Sequence, residues 1–143
     1  NLFVAGFIGS PQMNFLDATC KVNGNKVALE VGGAAIELPP AKAKKLIEGG
    51  YDGKTVVLGI RPEDVHDEPM FIASSPNTVI ESKIRVYEML GAEVYLYFDY
   101  AGSSMTARVD PRTTARTGDT VKFAFDAEKI HVFDKETECT ITN

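Results

Sequence analysis

Gly53-Lys54-Thr55 has the residue types of a phosphate cradle. A P-loop requires G-x-x-x-x-G-K-[ST], leaving a strand and feeding a helix whose N-terminus faces the anion. Here the position five before Gly53 is Glu48, and the flanking pattern reads helix, then turn, then strand. The order is reversed, so the triplet predicts a turn. His66-Asp67-Glu68 offers metal-ligating side chains, but adjacent side chains diverge on an extended loop, and the other histidine, His131, is far along the chain. A solvated loop is expected there, with no metal and no cofactor. Gly6-Phe7-Ile8-Gly9 has the G-x-x-G spacing of an RNA-clamping loop without its basic neighbours. Tyr87, Tyr95 and Tyr97 with Lys83 and Arg85 have the composition of an oligonucleotide-binding face, which Glu81, Glu88 and Glu93 interrupt. No Ser/His/Asp or Cys/His set emerges, nor a pair of carboxylates that a cleft would hold together. No catalytic residue is expected, and the chain reads as a binding, regulatory or structural module.

Composition narrows this further. The chain has 143 residues, 44% hydrophobic and 24% charged, enough for one domain with a real core or two small intertwined halves. A net charge of −5 disfavours nucleic acid as the main partner, because phosphate binding needs a surplus of Lys and Arg on one face. Cys20 and Cys139 make neither a disulfide framework nor a zinc site, and buried or idle thiols in a reducing cytosol are expected. No apolar run approaches the roughly 20 residues needed to cross a bilayer. No basic start precedes a long apolar stretch and a cleavage site, so no signal peptide is read. The sequence starts at Asn1 inside a patterned segment and is expected to be a piece of a longer protein.

Residues 1–16 are read as a linker helix and turn, and 17–143 as a β-barrel. Phe3 and Phe7 share one helical face, Val4 and Ile8 the next, and Gly9 with Pro11 stops the helix. So short a helix cannot persist alone in water, and burying each Phe gains roughly 1.5–3 kcal/mol, so it must dock. On physical grounds a terminal core helix comes first and an interface second. Met13 and Asn14 fall in the adjoining turn, where a thioether fills an interface and an amide bonds across it. The period then changes to two. Strands are predicted over Ala18–Val22, Lys26–Val31 and Ala34–Leu38, with turns at Asn23-Gly24-Asn25 and Gly32-Gly33. Pro39-Pro40 starts a helix over Ala41–Glu48, its lysines facing water. Thr55–Ile60 is a continuous apolar run and so a buried central strand. Arg61-Pro62-Glu63-Asp64 ends it in a turn that Arg61 and Glu63 fix by hydrogen bonds or charge pairing. Residues 66–77 are read as a linker or long exposed connection. Thr78–Leu90 follows as a long strand with Ile80, Ile84 and Val86 on one side, and Gly91 bends the chain. Glu93–Tyr100 alternates cleanly, then Met105, Ala107 and Val109, then Val121, Phe123 and Phe125. Ile130–Phe133 is a last short strand before a polar tail. The fold class is mainly β: a small Greek-key-like barrel or a pair of them, with a short N-terminal helix and one helix near 41–48.

Four stretches resemble one family in order. Phe3–Leu16 (FVAGFIGSPQMNFL) is similar to the segment that follows the nucleotide-binding domain in ATPase subunits of ABC sugar importers, of the maltose, multiple-sugar and glycerol-3-phosphate type. Leu58–Val65 (LGIRPEDV) resembles that family's G-I-R-P-E motif, and Val86–Val94 (VYEMLGAEV) its V-x-E-x-L-G-x-E segment. Ala107–Phe133, followed by Asp134, is similar to its terminal stretch, ending in H-L-F-D. The resemblance implies a non-catalytic C-terminal regulatory (TOBE) domain with an OB-fold-type barrel, without the ATPase domain and its ATP and magnesium sites. It implies a homodimer with a second ATPase subunit, with Phe3, Phe7, Ile8, Met13 and Asn14 as anchors. It implies association with the transporter's membrane subunits through the ATPase domain, on the cytoplasmic face of the membrane. It also implies docking of a phosphotransferase-system protein or a transcriptional regulator, for which Glu88 and Gly91 at the exposed bend are the candidates. Arg61, Pro62 and Glu63 are a structural turn in this picture. The alternatives are a barrel binding a small oxyanion or a sugar-related effector, molybdate modules being more distantly similar, and a nucleic-acid-binding OB fold.

Overall fold

Alternation of apolar and polar residues turns the chain into strands from Asn14 onward. A computed structural model of the protein describes residues 12–143. The expected helix carrying Phe3, Phe7 and Ile8 lies outside the described residues.

The chain runs β1 (Asn14–Asn23), β2 (Lys26–Val31), β3 (Ala34–Glu37), helix α1 (Pro40–Glu48) and β4 (Thr55–Ile60). A 3-10 turn, η1 (Pro62–Asp64), leads to β5 (Val65–His66), helix α2 (Pro69–Ser74) and a second turn, η2 (Pro76–Thr78). Then come β6 (Val79–Leu90), β7 (Glu93–Tyr100), β8 (Ser103–Val109), β9 (Thr120–Phe125), turn η3 (Ala127–Lys129), β10 (His131–Asp134) and β11 (Thr140–Thr142).

These strands form two antiparallel sheets, in the orders β11-β10-β4-β1-β2-β3 and β5-β9-β6-β7-β8. In the second, β8 lies against η1 and β5, so the five strands nearly close into a barrel. The mainly β, OB-type reading holds. One core joins both sheets: Leu16, Leu29, Leu58 and Ile60 from the first meet Leu96, Phe98 and Phe123 from the second. Phe98 and Phe123 stack with centroids 4.5 Å apart and planes at 10°. β4 is buried on both faces, as its unbroken apolar run predicts, because β1 and β10 flank it and side chains cover it above and below. Its Val57 and Gly59 face a smaller cluster with Met13, Phe15 and Phe133 on the other side of the sheet.

Five expectations are corrected. Asn14, Phe15 and Leu16 lie in β1 rather than in a helix or turn, paired with Ile60, Gly59 and Leu58. Residues 66–77 are not an open linker; β5, α2 and η2 occupy them, and the His66 ring stacks on Phe71 at 3.9 Å. A register shift between Ile84 and Val86 rotates the end of β6, so Val86 is exposed while Tyr87 packs against the core. Lys42 does not face water: it is 5% exposed, and its ammonium donates to the Asn143 carbonyl. Nor is Ile130–Phe133 the last strand, since β11 in the polar tail pairs with β10.

Candidate functional site

LGIRPEDV carries the chain from β4 of the first sheet into β5 of the second. Pro62 fixes φ at the start of η1, and the Arg61 carbonyl accepts from the Asp64 N–H at 2.9 Å. Pro62 is buried, which plants the turn in the core. No ion pair joins Arg61 to Glu63; the backbone and the proline hold the turn. Glu63 keeps one oxygen, Oε1, out of solvent with no hydrogen-bond partner among the described residues.

Two further contacts lock the sheets together here. The Asn14 side-chain amide donates to the Thr106 carbonyl at 2.9 Å, and its Oδ1 accepts from the Thr106 N–H at 2.8 Å. Thr106 lies on β8, the edge of the second sheet, so Asn14 satisfies the backbone groups that β8 turns away from β7. The amide expected to bond across an interface is therefore engaged inside its own chain. On the other flank, the Tyr100 hydroxyl donates to the Val31 carbonyl at 2.8 Å, beside the Gly32-Gly33 turn. Met13 likewise is buried, in the cluster around Val57.

The open surface is the β6–β7 hairpin. Beyond the bulge Met89 and Leu90 are 55% and 53% exposed, and Val86 joins them. Gly91 sits at the tip with φ +62°, a left-handed turn position that suits glycine. Glu88 accepts from the Tyr97 hydroxyl at 2.9 Å, and Glu93 from the Tyr95 hydroxyl at 3.1 Å. Burial, and then the Glu88 bond, pushes the Tyr97 phenol up. The two tyrosine rings lie 6.5 Å apart on the outer face. Carboxylates thus stand at both tyrosines, where an oligonucleotide backbone would bring phosphates. Glu88 and Gly91 are exposed on the same hairpin, as expected. The Gly53 N–H donates to the Cys20 carbonyl at 2.7 Å, so the false P-loop has spent its amide on a turn. Among the described residues neither histidine is hydrogen-bonded to a serine, threonine or cysteine; their side-chain partners are Glu68 and Asn143.

Sequence reasoning missed the Asn14–Thr106 clasp and the grouping of Asp64, His66 and Asp126. One ligand atom from each of those three lies within 4.8 Å of the others. β5 pairs His66 with Ala124 of β9, which brings Asp126 to the turn; no local signal in the sequence marks that approach. Burial, then the Glu63 and Asp126 carboxylates, raise the Asp64 carboxyl above the usual range.

Comparison with known proteins agrees with this layout. Residues 9–65 match the MalK OB fold domain family and residues 58–133 the TOBE domain family. The chain is 45% identical over 141 residues to the oligosaccharides import ATP-binding protein MsmX of Bacillus subtilis, covering 99% of this chain and 38% of that protein. It is 37% identical over 138 residues to the trehalose/maltose import ATP-binding protein MalK of Thermococcus litoralis, covering 96% of this chain and 36% of that protein. The chain thus spans little more than a third of the length of these relatives. A molybdate-bound structure of the cytoplasmic molybdate-binding protein ModG shares the fold at a TM-score of 0.58 and 13% identity, covering 85% of this chain and 94% of that one. With the two family matches tiling the strands from β1 to β10, the chain belongs to the TOBE-domain family, in the form joined to a MalK-type OB fold in sugar-import ABC ATP-binding subunits.

Proposed function

We propose that this chain is the non-catalytic dimerisation and regulatory part of the ATP-binding subunit of a sugar-importing ABC transporter. The observation that carries the reading is the match to MsmX over 99% of the chain, in a fold whose sequence contains no P-loop. Two subunits would associate through this part, with Phe3, Phe7 and Ile8 as anchors, while ATP hydrolysis and contact with membrane subunits belong to the rest of the protein. The work is then done at the cytoplasmic face of the membrane, and among the described residues no helix is long and apolar enough to cross one. The β6–β7 hairpin, with Met89, Leu90 and the Glu88–Tyr97 pair, is the surface offered to a regulator. Apolar side chains flanked by fixed carboxylates suit a protein partner better than an anion.

Sedimentation equilibrium of the chain tests the assembly. A concentration-dependent dimer is expected, lost in Phe7→Asp. A wild-type monomer at high concentration whose melting temperature rises with molybdate or a sugar phosphate would replace this reading with a ligand-binding one.

A further inference from the structure

We propose that Asp64, His66 and Asp126 form a binding site for a first-row divalent cation of the Mn2+ or Zn2+ class, which would staple the η1–β5 turn to the segment leaving β9. Three donors from two remote stretches of chain converge here, each half-buried, with ligand atoms within 4.8 Å of one another. The backbone fixes this approach independently of any ion. β5 pairs with β9, and the Asp126 N–H donates to the Asp64 carbonyl at 2.9 Å. The imidazole is held from outside the group. Its Nδ1 is bonded to Glu68 Oε2 at 3.0 Å, and its ring stacks on Phe71. A carboxylate on one ring nitrogen is the usual support of a metal-bound histidine.

Negative charge predominates in the group, although Lys129 opposes the field on Asp64. Among the described residues no Lys or Arg forms an ion pair with Asp64 or Asp126. The neighbouring Glu63 adds a third carboxylate to the negative field on Asp64, and its Oε1 lacks a partner among the described residues. Half-buried negative charge of this kind favours a bound counter-ion. Two carboxylates and one imidazole suit a borderline cation, with remaining positions filled by water, whereas a site for Ca2+ would take oxygen ligands throughout.

The site is distinct from the proposed dimerisation role and stands or falls separately. The test uses the whole chain, stripped of metal and titrated with Mn2+ while the signal of free aqueous Mn2+ is followed by electron paramagnetic resonance. Loss of that signal at one equivalent per chain is expected, with a melting temperature that rises in step. Asp126→Asn should abolish both effects. That variant keeps an oxygen to accept from the Glu128 N–H, as Asp126 does at 3.2 Å, so η3 and the fold should persist, which circular dichroism checks. Its metal-free melting temperature should equal or exceed wild type, because one of the opposed carboxylates is gone. His66→Gln should weaken Mn2+ moderately and Zn2+ more. Wild type that leaves the Mn2+ signal unchanged at millimolar protein and gains no stability from Zn2+ would overturn the proposal. So would equal binding by folded Asp126→Asn, which would move the ion elsewhere.

Discussion

Replacing Asn14 tests whether one amide joins the two sheets. Its side chain is 5% exposed and takes both backbone groups of Thr106. Asn14→Ala strands an N–H and a carbonyl that the edge strand cannot turn to another strand. An unsatisfied buried polar group costs about 1–3 kcal/mol, so this pair, only partly buried, should cost roughly 2–4 kcal/mol. With a urea slope of about 2 kcal/mol/M, the unfolding midpoint should fall by roughly 1–2 M at unchanged slope. Asn14→Asp separates this account from simple loss of packing. The introduced carboxylate still accepts from the Thr106 N–H, but its second oxygen opposes the Thr106 carbonyl. Protonated, it regains a donor for that carbonyl. Its folded pKa must therefore lie above the unfolded one. The stability it contributes is present below the unfolded pKa and lost as pH rises through the folded pKa. Asn14→Asp should be no better than Asn14→Ala at pH 7 and should overtake it near pH 4, every other carboxylate being common to both. Losses below about 0.5 kcal/mol for both variants, the scale of an ordinary surface change, would refute the clasp. A difference between the variants that ignores pH would refute it too.

Two further outcomes follow from the packing. A Cβ at Gly59 would stand 2.7 Å from the Met13 sulfur and 3.0 Å from a ring carbon of Phe133, so Gly59→Ala should overpack β4 and cost roughly 1–3 kcal/mol by calorimetry. Free tolerance would mean that the cluster yields. Asp67 is raised above the usual carboxylate range, chiefly by burial, although the Thr113 hydroxyl donates to it at 2.6 Å. A raised folded pKa means that its stabilising effect is present below the unfolded pKa and lost as pH rises through the folded one. Asp67→Asn keeps an acceptor for Thr113 without the charge. It should raise the urea midpoint at pH 7, with the gain fading as pH falls through the folded pKa and gone below the unfolded one; a gain that persists in acid would contradict the burial argument.

Period-two alternation made most strands legible, because a half-buried strand must alternate. Lys26–Val31 is found as read from its alternation, and Thr55–Ile60, buried on both faces, as read from its unbroken apolar run. Glycine-rich turns were readable for the same local reason. Errors arose where a distant partner decides the outcome. Asn14–Leu16 continue an apolar stretch that could coil, and only pairing with β4 makes them extended. Nothing in the types of Arg85 and Val86 announces the bulge that exchanges Val86 for Tyr87. Lys42 looks like the other lysines of α1, and its burial depends on the chain end folding back over that helix. The grouping of His66 with Asp126 was illegible for the same reason. Sequence spacing offers adjacent residues as ligands, whereas the fold places Asp126, just past β9, within reach of His66.

The return of the chain end also shows why the two halves act as one body. The two family matches overlap at residues 58–65, which suggests a cut near the end of β4. The strands do not respect that cut. β10, from the second match, pairs with β4 of the first, and the Asp134 carboxylate accepts from the Tyr51 hydroxyl at 2.7 Å. Severing the chain at the RPE turn would leave β4 with an open edge and its Leu58 and Val57 without β10 beside them. A buried central strand stripped of one neighbour exposes both apolar side chains and unpaired backbone groups. The first sheet is therefore completed only after the whole second sheet has been threaded, and the Asn14–Thr106 hydrogen bonds tie β1 to the edge of that second sheet.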